Sequence, residues 1–136
     1  MQLHATAVAL KGAGLLILGP SGAGKSTLAL QLMAVGAVLV ADDRTDLRRE
    51  GSRIVAHCPP PLLGRIEARG IGILAAVPSG PVRVVRVVDL GAGDGERLPQ
   101  SQSLDVLGIA LPLVTIPYRP HLYAALRQLL LNDRMA

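Results

Sequence analysis

The amino-acid sequence predicts a single α/β domain, and three observations support this. The chain has 136 residues, the size of one compact domain and too short for two. Half of its residues are hydrophobic, and many fall in short alternating or continuous apolar runs typical of strands. A glycine-rich loop at residues 19–26 lies between one such run and a helical pattern. Residues 1–136 are therefore expected to form one domain.

Strands are predicted where apolar residues alternate or run together. The first two are joined by a glycine-containing turn at residues 11–14, and Glu50, Gly51 and Ser52 mark the turn of a later hairpin. The predicted strands are residues 3–10, 15–18, 37–41, 71–75, 82–90 and 113–116, with the hairpin over residues 45–57.

Helical spacing appears twice. Leu28, Leu32 and Val35 predict a helix over residues 25–35 that ends at Gly36. A second helix is predicted over residues 120–131, because proline is favoured in a first helical turn. Residues 62–66 are expected to form a helical turn. Residues 91–105 show no periodicity and are expected to form a mobile loop.

The composition argues against nucleic-acid binding and against membrane insertion. The net charge is +4, but the 12 arginines are scattered among acids, and without Phe or Trp the chain lacks an aromatic platform for bases. The longest apolar runs fall well short of the roughly 20 residues that span a bilayer. We therefore expect neither a nucleic-acid partner nor a membrane contact.

The cysteine content and the first residues predict a cytoplasmic protein. Cys58 is the one cysteine of the chain, so it forms no internal disulfide, as is usual in a reducing compartment. Residues 1–10 lack the charged and apolar regions of a secretory signal, and their alternation is typical of a strand.

The strongest motif is Gly-Pro-Ser-Gly-Ala-Gly-Lys-Ser at residues 19–26, a complete phosphate-binding loop. Its glycines let backbone N–H groups approach a phosphate closely, Lys25 adds a flexible charge, and the Ser26 hydroxyl can hold Mg²⁺. The candidate nucleotide contacts are Gly19, Pro20, Ser21, Gly22, Ala23, Gly24, Lys25, Ser26 and Thr27.

Two adjacent acids, Asp42 and Asp43, end the strand that follows the helix of this loop. A carboxylate there faces the phosphates, where one acid can hold Mg²⁺ through water and the other can accept a proton from an incoming hydroxyl. The alternative is that they are acids of a strand end or turn.

Charged residues also interrupt apolar stretches elsewhere. Glu67 and Arg69 lie in Ile-Glu-Ala-Arg-Gly-Ile-Gly-Ile at residues 66–73, and His4 lies in the first strand. Because half-buried charges are costly unless paired, these residues by themselves predict a Glu67–Arg69 salt bridge. His4 by itself is expected to be a core or edge histidine with its ring satisfied, and not a catalytic one.

Taken together, the order and spacing of these motifs resemble the catalytic domain of HPr kinase/phosphorylase, a bacterial sensor enzyme of the phosphotransferase system. The resemblance rests on His4, the loop at 19–26, the Val-Ala-Asp-Asp strand end at 40–43 and the segment at 66–73, and it covers almost the entire chain. It implies a P-loop core similar to phosphoenolpyruvate carboxykinase, with a mixed sheet and few helices, and a hexameric assembly.

The resemblance also implies an activity. ATP and Mg²⁺ would be the cofactors, and HPr the partner whose serine is phosphorylated, with possible removal of that phosphate by inorganic phosphate to give pyrophosphate. Asp42 would accept the serine proton and return it in the reverse reaction, with Asp43 orienting the substrate. Lys25 would bind the transferring phosphate, and His4 would lie near the phosphates.

Further roles and two departures follow from the same resemblance. Ser26 and Glu67 would be the Mg²⁺ ligands, and Arg97 is the candidate for the arginine of a mobile loop. Family members usually carry an N-terminal domain, so the sequence suggests a short form consisting of the catalytic domain. The Gly-Arg-Asn segment tied to dephosphorylation is replaced by Pro-Tyr-Arg-Pro-His at residues 117–121, with Arg119 a weak substitute, which puts the reverse reaction in question.

Two other functions share the same loop. One is a small-molecule kinase or NTPase, for which only residues 91–105 offer a lid. The other is a nucleotide-binding regulator that transfers no phosphate. The sequence leaves these alternatives open.

Overall fold

The computed structural model describes residues 1–91 and 100–132. The strands within these residues are β1 (Gln2–Leu3), β2 (Thr6–Leu10), β3 (Ala13–Leu18), β4 (Val38–Ala41), β5 (Thr45–Glu50), β6 (Arg53–His57), β7 (Arg65–Ala68), β8 (Gly72–Ala75), β9 (Val82–Asp89), β10 (Gln102–Val106) and β11 (Ile109–Thr115). The α-helices are α1 (Lys25–Ala34) and α2 (Leu122–Leu131), and Pro60–Leu62 form a 3₁₀ turn.

Nine strands form one mixed sheet. The order is β1-β5-β6-β9-β3-β2-β4, with β11 also beside β9 and β10 beside β11. Strand β9 pairs in parallel with β3 and β11, and the other pairs in this sheet are antiparallel. The predicted α/β class with a mixed sheet and few helices is confirmed.

The three parallel strands end at the same edge of the sheet. The Leu90 N–H donates to the Leu18 carbonyl at 2.9 Å, and the Ile116 N–H donates to the Asp89 carbonyl at 3.0 Å. The segments that follow β3, β9 and β11 therefore begin side by side. The glycine-rich loop is one of these segments.

Both faces of the sheet are buried, which explains why its central strands are continuously apolar. Leu15 and Ile17 of β3 point into a core shared with α1 and α2, and Leu16 between them points into a second core on the opposite face. Val88 and Val87 of β9 divide in the same way. Two apolar layers thus fix the strand that carries the loop.

The sequence-based prediction was wrong for residues 102–105, which are not loop. They belong to β10, which pairs with β11 in an antiparallel hairpin. Leu107 and Gly108 turn the chain with φ of 51° and 86°, and the Gly108 N–H donates to Asp105 Oδ1 at 3.0 Å. Polar residues on the exposed side of β10 hid the alternation.

A second correction concerns residues 62–66. Residues 65 and 66 start β7, and the 3₁₀ turn lies before them at residues 60–62. Strand β7 alternates exposed and buried residues and pairs with β8 as a separate two-stranded hairpin. The first predicted strand is also interrupted, because residues 4 and 5 separate β1, paired with β5, from β2, paired with β3 and β4.

Neither helix of the described residues is long and apolar enough to cross a bilayer.

We predict that Gly14→Ala lowers the free energy of unfolding by about 1–3 kcal/mol. A Cβ at Gly14 would lie 2.6 Å from the Arg83 carbonyl oxygen, so β3 and β9 would have to separate locally. Urea denaturation measures the loss. Gly80→Ala is the matched control, because its Cβ would meet no atom within 4 Å. Equal stability of the two variants would contradict this account of the β3–β9 contact.

Candidate phosphate-binding and phosphoryl-transfer site

The loop between β3 and α1 has the backbone of an anion cradle. Gly22 and Gly24 have φ of 84° and 105°, in the left-handed region that favours glycine. At Gly24 a side chain is excluded a second time, because a Cβ would lie 3.0 Å from the ring of Tyr118, which follows β11. The loop therefore turns directly into the N-terminus of α1, where free N–H groups attract anions.

Lys25 is buried in the first turn of α1. Its Nζ donates to the carbonyl oxygens of Gly19 and Pro20 at 2.6 and 3.1 Å. These two predicted contact residues thus hold the lysine through their backbone. The ammonium group stays within the loop, at the place where a phosphate would compete for it.

The Asp42 carboxylate is the best-connected polar group of the site, and it is only 6% exposed. Its Oδ1 accepts the hydroxyls of Thr6 and Ser26 at 2.8 and 2.7 Å, and its Oδ2 accepts the Glu67 N–H at 2.9 Å. One side chain thereby ties together β2, the start of α1 and β7. Both carboxylate oxygens are engaged with the protein.

Asp43 has entirely different surroundings. Its φ of 69° turns it out of the strand direction, and its side chain is 62% exposed. Oδ1 lies 3.0 Å from Nε2 of His4, which is itself about half exposed. Of the two positions expected for His4, core or edge, the structure has the exposed edge, where His4 forms a carboxylate–imidazole pair at the mouth of the site.

The β7–β8 hairpin provides one wall. Ile66 and Ala68 of β7 are buried, which turns Glu67 and Arg69 outward toward the loop. The Glu67–Arg69 salt bridge predicted from the residues alone is absent from the described part of the chain. Instead, Nη2 of Arg69 lies 3.8 Å from the position of a Cβ at Gly22.

These residues surround one cavity of about 270 Å³. It is lined by His4, Thr6, Ser21, Gly22, Ala23, Gly24, Lys25, Ser26, Thr27, Asp42, Asp43, Glu67, Arg69 and Tyr118. The structure thus brings most of the predicted site residues together in one cavity. Gly19 and Pro20 do not line it, but their carbonyl oxygens accept hydrogen bonds from Lys25. Arg97 lies outside the described residues.

Sequence reasoning missed Thr6 and Tyr118. Thr6 is the one polar residue of β2. A single hydroxyl residue in an otherwise apolar strand was the signal that the sequence offered. Tyr118 follows β11 by three residues, and its contact with Gly24 depends on the parallel pairing of β11 with β9.

Hard oxygen donors dominate the metal side of the cavity. The Ser26 hydroxyl donates its hydrogen bond to Asp42, which leaves its oxygen lone pairs free for a cation, and the exposed Glu67 lines the same cavity. No group of three or more His, Cys, Asp or Glu side chains in the described ranges could hold a metal ion. Ser26, Asp42 and Glu67 nevertheless fit Mg²⁺, which usually takes one or two carboxylates and completes its shell with waters and phosphates.

Cys58 takes no part in this chemistry. Burial raises the pKa of its thiol, and the carboxylates of Asp46 and Asp42 raise it further. Its Sγ donates to the Pro59 carbonyl at 3.3 Å. The thiol therefore stays protonated at neutral pH and is a poor nucleophile.

Known proteins are similar to this chain over most of its length. Two curated relatives, the HPr kinase/phosphorylases of Cupriavidus necator and Ralstonia pickettii, are each 40% identical over 128 residues, covering 85% of this chain and 40% of the relative. The chain thus spans about 40% of the length of the curated relatives it matches.

A solved structure, described as that of the Hpr(Ser) kinase/phosphatase from Coxiella burnetii, superposes with a TM-score of 0.84 at 29% identity. The superposition covers 99% of this chain and 91% of that one. The model of the HPr serine kinase C-terminal domain matches residues 1–89, which include the loop, both aspartates and the β7–β8 hairpin. The resemblance noted from the motifs is therefore confirmed, and the chain belongs to the HPr serine kinase C-terminal domain family.

Proposed function

We propose that this chain uses ATP and Mg²⁺ to phosphorylate a serine hydroxyl of the phosphocarrier protein HPr. The observation that carries the proposal is the Asp42 carboxylate, which joins the Ser26 hydroxyl of the phosphate loop to the backbone of Glu67. This contact supports the proposal because it joins the glycine-rich loop to oxygen donors that line the same cavity, and phosphoryl transfer requires a phosphate site beside such donors. The relatives named above supply the identity of the acceptor.

In this proposal Ser26 and Glu67 would hold Mg²⁺, with Asp42 behind them, and the bound metal would supply positive charge to the phosphates. Asp42 accepts a hydrogen bond from the Ser26 hydroxyl and so would orient the serine oxygen toward the cation. Lys25 leaves the carbonyls of Gly19 and Pro20 for the phosphates, and the N-terminus of α1 faces the inner phosphates.

The contacts of the two aspartates support a different division of labour from the one that the family resemblance implied. Asp42 is buried and already accepts three hydrogen bonds, from Thr6, Ser26 and the Glu67 N–H, so of the two carboxylates it is the less available to an incoming hydroxyl. Asp43 is exposed at the mouth of the cavity. We therefore propose Asp43 as the proton acceptor, Asp42 as the residue that positions the metal ligands, and His4 as the partner that holds the Asp43 carboxylate.

The rim of the cavity favours a protein acceptor over a small molecule. Ile73 pairs with Glu67 across the hairpin and is 65% exposed, and Ile71 at the hairpin turn is 79% exposed. Uncovered apolar side chains beside a reactive site suit a partner with its own apolar surface. A small-molecule kinase would need a lid, for which residues 91–105 were the candidate. Residues 102–105 of that segment belong to strand β10, which argues against this alternative.

The remaining family properties are extensions of the proposal. Arg119 lies exposed beside Tyr118, and we propose that this altered segment serves the removal of the phosphate by inorganic phosphate. A hexameric assembly and a cytoplasmic location follow from the family and from the proposed partner. Sedimentation of the purified protein tests the assembly.

The function itself is tested by incubating the protein with Mg²⁺, radiolabelled ATP and HPr. We expect label on a serine of HPr, identified by mass spectrometry, and no transfer when EDTA replaces Mg²⁺. Tight ATP binding without labelled HPr would favour the nucleotide-binding regulator. Label on a small metabolite in place of HPr would favour the small-molecule kinase.

The proposed roles of the two aspartates predict that the change to Asn affects the transfer rate at Asp43 and the affinity for Mg²⁺–ATP at Asp42. Asp43→Asn should slow transfer about 100- to 10,000-fold and leave the affinity for Mg²⁺–ATP unchanged, because it removes only a proton acceptor. Asp42→Asn should lower the affinity for Mg²⁺–ATP about 10- to 100-fold, because it disturbs the residues that hold the metal. Calorimetry and single-turnover transfer measure the two effects. If Asp42→Asn slowed transfer and Asp43→Asn weakened Mg²⁺–ATP binding, the proton acceptor would be Asp42 and not Asp43.

Lys25→Ala should weaken ATP binding about 10- to 100-fold in calorimetry, because it removes a charge-assisted hydrogen bond to the phosphates. The matched control is Lys11→Ala, since Lys11 is the other lysine of the chain and lies exposed in the β2–β3 turn. Equal ATP affinities of the two variants would refute the phosphate loop as the nucleotide site.

A further inference from the structure

Thr6 is a buried residue of the cavity to which the proposed function gives no role. It lines the cavity, yet none of its surface is exposed, and its hydroxyl donates to Asp42 Oδ1 at 2.8 Å. Side-chain hydrogen bonds are made more often to backbone or water. Thr45, which is equally buried, follows that rule and donates to the Ala5 carbonyl at 2.9 Å. The Thr6 hydroxyl is directed instead at the carboxylate behind the proposed metal ligands.

The sheet fixes Thr6 beside the two strand ends that build the site. Strand β2 lies between β3 and β4. Thr6 pairs with Ile17, close to the end of the strand that leads into the glycine-rich loop. The next residue of β2, Ala7, pairs with Ala41, the last residue of β4. Thr6 therefore lies opposite the point where the chain leaves β4 at Asp42. Its β-branched side chain is restricted in χ1, so little conformational freedom is lost when the hydroxyl is held there.

The three donors that the described residues give to Asp42 are not equivalent. Ser26 and Glu67 supply two of them, and both belong to the segments that would hold Mg²⁺. Thr6 supplies the third from the sheet and belongs to neither segment. Without the Thr6 hydroxyl, the carboxylate would be held only by the segments that it orients. Thr6 thus ties the carboxylate to a strand of the main sheet.

We propose that Thr6 is a positioning residue for the metal–nucleotide complex, because it anchors Asp42 to the sheet while Asp42 orients the Ser26 oxygen. The inference rests on the proposed function, since it takes Ser26 and Glu67 as the residues that would hold Mg²⁺. Thr6 acts only through the carboxylate. Removal of outer partners of this kind lowers metal affinity about 10- to 100-fold in other metal sites.

Calorimetry with and without metal tests this role. Thr6→Val keeps the shape of the side chain but removes its hydroxyl, and it should weaken Mg²⁺–ATP binding about 10- to 100-fold. ATP binding in EDTA should stay unchanged, because Lys25 and the loop N–H groups would hold the phosphates without the metal. Thr6→Ser should restore most of the Mg²⁺–ATP affinity. Thr6→Ala, a second variant without the hydroxyl, should repeat the metal-dependent loss.

Thr45→Val is the matched control. Thr45 is as buried as Thr6 and also loses one hydrogen bond on this change, but its acceptor is a backbone carbonyl and it does not line the cavity. Both variants should lose similar stability in urea denaturation, because each removes one buried hydrogen bond. Thr45→Val should nevertheless bind Mg²⁺–ATP as the wild-type protein does.

A double-mutant cycle shows whether Thr6 acts through Ser26. In a Ser26→Ala background, Thr6→Val should cost little further Mg²⁺–ATP affinity, because the oxygen that Asp42 orients is already gone. Fully additive losses would overturn the proposal.

Equal losses of ATP affinity with and without Mg²⁺ would also overturn the proposal, because they indicate a general structural role for Thr6. So would wild-type Mg²⁺–ATP affinity in both Thr6→Val and Thr6→Ala. The test needs no acceptor protein. If the wild-type protein failed to phosphorylate HPr while Thr6→Val lost affinity for Mg²⁺–ATP alone, the proposed function would fall and the role of Thr6 would stand.

Discussion

The site depends on a single buried carboxylate. Asp42 receives three hydrogen bonds, from Thr6 in β2, from Ser26 at the start of α1 and from the Glu67 backbone in β7. A buried carboxylate needs such donors, because an unpaired charge there would be strongly destabilising. By satisfying Asp42, three separate parts of the chain are held in one arrangement. The glycine-rich loop and the β7–β8 hairpin are therefore linked through one side chain.

Two neighbouring aspartates acquire different chemistry from this arrangement. The strand ends at Ala41, Asp42 continues inward, and the left-handed backbone of Asp43 directs the next carboxylate outward to His4. One carboxylate is buried and hydrogen-bonded to three parts of the chain, and the other is left at the cavity mouth with His4 as its partner. Burial and exposure thus give two residues of the same type different surroundings, and this difference is the basis of the roles proposed for them above.

Much of this could be predicted from the sequence, and the failures have physical reasons. The loop and the acid pair were identified because their chemistry is local in sequence. Which aspartate is buried was not predictable, because it depends on Thr6 and Glu67, which are distant in the chain and donate from separate strands. The Glu67–Arg69 pair was wrongly expected to be a salt bridge, since strand alternation placed both side chains on the face toward the loop. The β10–β11 hairpin was partly missed, because one side of β10 is polar and exposed.

The division of labour around Asp42 is tested most directly by a crystal structure with Mn²⁺ in place of Mg²⁺ and a non-hydrolysable ATP analogue. Anomalous scattering locates the metal independently of any assumption about its ligands. The account predicts a single peak beside the Ser26 hydroxyl and the Glu67 carboxylate, on the side of Asp42, with Asp43 free of metal. A peak bound to Asp43 and His4, with Ser26 still paired to Asp42 alone, would contradict it.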